Sequence, residues 1–278
     1  MVAEGLSVGL LGVVQGPLTL TYQVRLLQPT PGALRRLLAI GPAMAAAVQA
    51  PAVRVQQAAG AVLIELPLPA EAHRTPTAAE LAAQSQSLRV CVGLDAMRRP
   101  VHVDLRQHGA LFWIGPSRRG KTQSMKSTLY ALAHKGGQRL LYAILSQKRA
   151  DWAAFEPAAG CLGLVSHPAE ALAVLRWAVA LLRERAATGT SGATFVIVCD
   201  DLLNLLAAEP DLAGPLGEIA SMGAGLGVHL LAGTQEGGSK RGTGGAGVEN
   251  NATARLLYRS SSAAAGARAA GQAAAGLE

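Results

Sequence analysis

The chain has 278 residues, half of them apolar and only 15% charged, with a formal net charge of +7 and three cysteines. That length allows one or two packed domains, and that apolar content excludes disorder as the default state. No uninterrupted apolar run reaches the roughly 18 residues of a membrane-spanning helix. The Ala-rich stretch 41–60 is broken by Pro42, Gln49, Pro51, Arg54, Gln56 and Gln57. No basic segment leads into a signal-type apolar core at the N-terminus, so the cytosol is the expected compartment. Cys91, Cys161 and Cys199 are odd in number and far apart, which argues against a disulfide framework or a zinc site. The positive charge fits an anionic partner such as nucleic acid, and fits equally the ordinary surface arginine of an Ala-, Gly- and Arg-rich composition.

From Leu18 to Leu26 the pattern alternates, with Leu18, Leu20, Tyr22, Val24 and Leu26 on one side and Thr19, Thr21, Gln23 and Arg25 on the other. This predicts a half-buried strand. Pro29 to Gly32 ends it, and Ala33 to Gln49 reads as helix interrupted at Gly41-Pro42. Val53 and Val55, then Ala61 to Leu66 after Gly60, predict two strands joined by a short turn. Residues 1–70 are thus expected as a small α+β domain, 71–87 as a polar, Ala-rich connector, and 88–278 as a second domain.

In that second domain strands alternate with helices. The expected strands are Leu111–Ile114, Leu140–Leu145, Thr194–Cys199 and Val228–Ala232; the expected helices begin at Lys121, run over Pro168–Ala187, and surround Leu216–Met222. Such alternation predicts an α/β fold, a parallel sheet with helices on both faces. Leu172, Leu175, Val179 and Leu182 make one stripe of the second helix and are expected in the core.

Between the first strand and first helix stands Gly115-Pro116-Ser117-Arg118-Arg119-Gly120-Lys121-Thr122, which fits the phosphate-cradling pattern G-x-x-x-x-G-K-[ST] in the strand–loop–helix setting that pattern requires. A helix N-terminus offers unpaired N–H groups and the positive end of a dipole, and glycines let the backbone close around phosphates. The whole stretch and Gln123 after it are therefore expected to bind a nucleoside triphosphate. Lys121 is expected on the β- and γ-phosphates, and the Thr122 hydroxyl on Mg²⁺. Arg118 and Arg119 replace the small residues common in such loops; roles toward the nucleotide, a neighbouring subunit or nucleic acid all stay open.

The run Phe195-Val196-Ile197-Val198-Cys199 stops at Asp200-Asp201. Carboxylates at the C-terminal end of a buried parallel strand point into the crevice where ligands bind. Asp200 is placed to hold the Mg²⁺ shell, and Asp201 to orient or deprotonate an attacking water; a helix N-cap is the competing role for Asp201. Gln235 ends the next apolar strand, where an amide is placed to sense a γ-phosphate. The Gly-rich loop 236–247 carries Lys240 and Arg241, suited to phosphate contact without base reading, or simply to a solvated loop.

This ordered series resembles the FtsK/SpoIIIE family of DNA-translocating ATPases, in the HerA–FtsK branch of RecA-like motors. The likeness runs through Gly93-Leu94-Asp95, Val101 to Leu105, His108-Gly109-Ala110 and the phosphate loop. It continues at Leu145-Ser146-Gln147-Lys148, similar to the family's strand-end Asp-Pro-Lys, then at Pro168 to Leu172. Ala224 to His229 and Gly233-Thr234-Gln235 are similar to the segment closing on the family's Ala-Thr-Gln, and Asn251 to Arg255 to its stretch with a conspicuous arginine. Residues 16–69 resemble the small domain that sits on the motor core.

The resemblance implies ATP and Mg²⁺ as cofactors, double-stranded DNA as partner, and a homo-oligomer, a hexameric ring, with hydrolysis at subunit interfaces. It implies catalytic roles for Lys121, Asp201 and Gln235, and an arginine acting in trans, Arg255 first and then Arg268 or Arg259. Lys148, Lys240 and Arg241 become the expected DNA-facing cations. The sequence departs from the family at Ser146 and Gln147, at Asp201 where the family has Glu, and at the end of the chain, where a further core strand is expected to be missing. With neither a membrane anchor nor a winged-helix module read in this sequence, the resemblance is not expected to extend to septal anchoring or the reading of orienting sequences. A nucleotide-binding structural or regulatory subunit with weak turnover, and an ATPase moving a protein substrate, are the competing readings.

Overall fold

A computed structural model describes residues 2–3, 6–58, 60–135, 140–190, 192–235, 251 and 254–258. The chain divides into two compact units, one of residues 1–77 and 93–101, the other of residues 78–92 and 102–278.

The first unit is built on a five-stranded antiparallel sheet. Its strands are β1 (Val2–Ala3), β2 (Leu6–Gln15), β3 (Thr19–Leu26), β4 (Arg54–Ala58) and β5 (Ala61–Pro67), in the order β1-β2-β3-β5-β4. Helices α1 (Pro31–Ala39) and α2 (Gly41–Ala47) follow β3. Thr30 caps α1, its hydroxyl accepting from the Ala33 amide at 3.1 Å, and Pro31 fills the first helical position, where no amide bond is lost. Leu6, Val24, Leu37, Val62 and Ile64 form the core. The alternation expected in β3 places Tyr22, Val24 and Leu26 on that core, but Thr21 on the other side is fully buried, because its hydroxyl donates to the Ala96 carbonyl at 3.3 Å. Strand β2 carries no such alternation, with Leu10, Leu11 and Val13 exposed and a bulge between Leu10 and Gly12.

Residues 71–87, expected as a connector, contain a 3₁₀ turn at Ala70–Ala72 and helix α3 (Ala78–Ala83), whose Leu81 and Ala82 are buried. Strands β6 (Arg89–Leu94) and β7 (Pro100–Asp104) form a two-stranded ribbon.

The second unit holds a six-stranded parallel sheet: β8 (Ala110–Ile114), β9 (Leu140–Leu145), β10 (Cys161–Val165), β11 (Thr194–Cys199), β12 (Val228–Thr234) and β13 (Ala254–Leu257), in the order β10-β9-β11-β12-β8-β13. Around it lie α4 (Lys121–Lys135), the one-turn α5 (Arg149–Trp152), α6 (Pro168–Thr188), α7 (Leu202–Ala208) and α8 (Ala213–Leu226). Successive residues of each strand feed two separate cores. Phe112, Leu145, Ile197 and Leu230 pack with Leu172, Leu175 and Leu182 of α6 and Leu216 and Ile219 of α8. Leu111, Trp113, Ile144, Val198 and Leu231 pack with Met125, Leu129 and Leu132 of α4. A sheet buried on both faces explains the unbroken apolar runs, and its architecture is RecA-like, preceded by the antiparallel α+β unit. Among the described residues no helix is long and apolar enough to cross a membrane.

Candidate active site

Strands β8, β11 and β12 end side by side, since β12 pairs with both of its neighbours. The order matters: the loop after β8 and the acids after β11 lie one strand apart, leaving a gap over the end of β12. That gap is a cleft of about 530 Å³ lined by Ser117, Arg118, Gly120, Lys121, Thr122, Gln123, Lys148, Asp200, Asp201, Gly233, Thr234 and Gln235. Six of these, Ser117, Arg118, Gly120, Lys121, Thr122 and Gln123, belong to or adjoin the phosphate-loop motif.

The loop turns through glycine. Gly115 has φ +151°, and a Cβ there would stand 2.7 Å from Tyr258 Cβ; Gly120 has φ +90°. Gly115 N–H also donates to the Thr234 carbonyl at 3.2 Å, tying the loop to the end of β12. Arg118, at φ 62°, lines the cleft, and both it and Arg119 are exposed. Lys121 folds back, its Nζ donating to the carbonyls of Gly115 at 2.6 Å and Pro116 at 2.8 Å. Partial burial pushes its pKa down, opposed by the charges of Asp201 and Asp200. An ammonium bonded to neutral carbonyls is a cation with charge left to give, as a phosphate site requires.

Asp200 is only 4% exposed. Its carboxylate accepts from the Thr122 hydroxyl at 3.2 and 3.3 Å and from the Trp152 indole N–H at 3.0 Å, and among the described residues it forms no ion pair. Desolvating a carboxylate costs several kcal/mol, whereas each hydrogen bond to a charged group contributes about 1.5–3 kcal/mol. Two neutral donors leave a deficit that a cation would offset. This donor set of threonine hydroxyl and buried aspartate beside a phosphate-type loop fits Mg²⁺ held with a triphosphate.

Asp201 is built differently. It has φ 60° and ψ 51°, the left-handed region that Asp tolerates better than most residues. It stands at the start of α7, yet its side chain makes no capping bond. Instead Oδ2 accepts from Lys148 Nζ at 3.0 Å and from Asn204 Nδ2 at 2.8 Å, and Oδ1 lies 3.5 Å from Gln235 Nε2. The bond to Asp201 holds the Lys148 ammonium pKa up. Lys148, expected among DNA-facing cations, thus lines the cleft. Gln235 lies beside Asp201, as its position at a strand end implies.

Arg255 sits on β13, paired in register with Phe112 of β8 and outside the cleft lining. Lys240, Arg241, Arg259 and Arg268 lie outside the described residues. Two cleft partners were missed from sequence. Asn204 follows the acidic pair by three residues, a spacing that brings a helical side chain back over Asp201. Trp152 offered no such local signal.

No family model and no curated protein matches the chain. Solved structures do. The pCW3 conjugation coupling protein TcpA, as a monomer with ATPγS, has a TM-score of 0.61 and 14% identity over 95% of this chain and 80% of its own. The Type VII secretion ATPase EccC of Thermomonospora curvata, cytoplasmic domain, has a TM-score of 0.57 and 22% identity over 70% of this chain, and its ATPases 2 and 3 in complex with a signal sequence peptide score 0.56 at 17% identity over 70%. This chain spans 28% and 36% of those two chains. The cytoplasmic domain of EssC has a TM-score of 0.53 and 20% identity over 70% of this chain and 42% of its own. At these identities the likeness speaks of fold: the chain shares the fold of these proteins.

Proposed function

We propose that this chain is the motor portion of a cytoplasmic ATP-driven translocase that moves along or pumps double-stranded DNA, working as a ring, with the FtsK family's hexamer as the reference assembly. The observation that carries the reading is the cleft itself: one lysine-bearing glycine loop faces two adjacent aspartates held in opposite ways. Bound there, Mg²⁺·ATP would supply the phosphoanhydride to be cleaved and the cation that offsets its charge.

The residues divide the work. Lys121 leaves its two carbonyl partners to hold phosphate, while the amides of residues 115–123 orient it. Thr122 and Asp200 hold the metal. Asp201 orients water and takes its proton, and Gln235, within reach of Asp201, reports the state of the terminal phosphate to the segment that follows it. Arg255, on the strand next to the phosphate-loop strand, is the first candidate to reach a neighbour's site, where a cation stabilises charge on the transferred group. Support for DNA as cargo comes from the net charge of +7 and from the fit of 95% of the chain to a conjugation coupling protein.

Two other readings each have an observation behind them. The likeness to EccC with its bound signal sequence peptide favours a protein substrate. The Lys148 clamp on a short Asp201 favours a nucleotide-binding subunit with slow turnover. Turnover of the purified protein, measured with and without nonspecific duplex DNA across a salt series, separates them. The motor reading predicts stimulation by DNA that fades steeply with salt. Turnover indifferent to DNA supports the protein-moving ATPase, and tight nucleotide binding without turnover supports the regulatory subunit.

A further inference from the structure

Trp152 ends a polar stretch, Arg149-Ala150-Asp151, and belongs to no motif. In the fold its side chain is fully buried, and its indole N–H donates to Asp200 Oδ2 at 3.0 Å. An indole has a donor and no acceptor, so it fixes Oδ2 and leaves Oδ1 to the Thr122 hydroxyl, 3.2 Å away. Asp200 Oδ1 faces Gly233, where a Cβ would stand only 3.4 Å away. The carboxylate therefore has Oδ2 tied to the buried indole, while Oδ1 lies beside Gly233 and Thr122, both of which line the cleft, with the Thr122 hydroxyl in reach of both oxygens.

The indole is itself well held. Arg149 donates to the Leu164 carbonyl at 2.7 Å and pairs with Glu156, so the turn carrying Trp152 is fastened to β10. Tyr142 donates to the Phe155 carbonyl at 2.9 Å, and the Phe155 ring packs against Trp152 with centroids 5.7 Å apart. Lys126 of α4 places its Nζ 5.8 Å from the centre of the Trp152 ring. Carboxylate χ2 is a broad, roughly two-fold torsion that packing alone constrains poorly, so a donor with a fixed direction is what sets it.

We propose that Trp152 is a positioning residue, whose indole N–H pre-orients Asp200 so that Oδ1 meets the divalent cation. The proposal rests on the reading of Asp200 as metal support. Without that N–H the carboxylate keeps its charge and its burial but loses its direction, and the binding of metal must supply the ordering. Outer partners of this kind typically change metal affinity by about 10–100-fold.

The test is calorimetric titration of ADP into the wild-type chain and into Trp152→Phe, each with EDTA and with excess Mg²⁺. The wild type should bind more tightly with Mg²⁺. Trp152→Phe should keep its EDTA affinity within about twofold and lose about tenfold of the Mg²⁺-dependent gain. An equal gain in both proteins overturns the proposal while leaving the reading of Asp200 intact; no gain in the wild type overturns that reading itself. Because Phe leaves space in the core, the same titration on Trp152→benzothienylalanine, which keeps the shape and replaces N–H by sulfur, carries the test should the first variant not fold. The same loss of gain supports the proposal, and a wild-type gain refutes it.

Discussion

Two neighbouring acids form two unlike walls of the cleft. On one, Asp200 is nearly inaccessible and meets only neutral donors, Thr122 and Trp152. On the other, Asp201 follows a left-handed turn and is bound by an ammonium, an amide and, more loosely, Gln235. The first wall is buried and held by neutral donors, as the proposed metal seat requires. The second has its charge already met by a lysine whose own side chain is 57% exposed, so its partners can change without disturbing the core. One dipeptide thus yields a fixed part and an adjustable part.

The largest effect should come from neither wall but from the loop they face. Lys121→Ala is expected to weaken nucleotide binding by about a hundredfold or more, since truncating a charged partner typically costs about 2–5 kcal/mol. Titration calorimetry reads this, and a loss below tenfold would mean that the loop does not grip phosphate. Next, Asp201→Asn should lower turnover by about a hundredfold with nucleotide affinity nearly unchanged, the loss typical for a proton acceptor. Asp201→Glu should raise turnover by up to about tenfold if the short side chain misplaces the water. Were Asp201→Asn to abolish Mg²⁺-dependent binding instead, the two walls would have been assigned the wrong way round.

Smaller still, Lys148→Ala should change DNA-free turnover by less than about fivefold, because an ion pair with an exposed partner contributes about 0–1 kcal/mol. A larger loss would make the second wall as rigid as the first. Apart from the cleft stands the pH dependence of His229, which shows what burial does to an ionisable side chain. It is fully buried on β12, and among the described residues neither ring nitrogen has a hydrogen bond of good geometry, the His108 backbone being its nearest polar influence. Burial pushes its pKa down to about 4, against weaker opposition from the His108 backbone and Asp104. Unfolded, the imidazole takes up its proton near pH 6.5, so between there and about 4 the unfolded state binds more protons. Stability present above pH 6.5 should fall with acidification through that window, by at most about 1.4 kcal/mol per pH unit, and His229→Phe should flatten the slope. Urea midpoints across the window measure it; identical slopes in both proteins would contradict the assignment.

The parallel core was legible because burial on both faces writes itself as apolar runs: Leu140–Leu145 and Thr194–Cys199 coincide with β9 and β11. The candidate cleft was legible in part for the same reason, since Asp200, Asp201 and Gln235 stand directly after such runs. What stayed hidden lacked periodicity or proximity. Strand β10 is a five-residue edge strand interrupted by Gly163, and the ten residues of β2 bend at a bulge and expose three large apolar side chains. Helix α3 is a single Ala-rich segment whose two buried residues give no stripe. Trp152 and Asp200 stand 48 positions apart, and only the pairing of β9 with β11 brings their strand ends together. Lys148 reads as a surface cation until that same pairing turns it toward Asp201.

In a crystal structure of the chain with ATPγS and Mn²⁺, anomalous scattering would locate the metal independently of the phosphates. The expected result is a Mn²⁺ peak beside Thr122 and Asp200, with the terminal phosphate between Lys121 and the Asp201–Gln235 wall. An empty cleft, or a metal farther than one bridging water from Asp200, would contradict it.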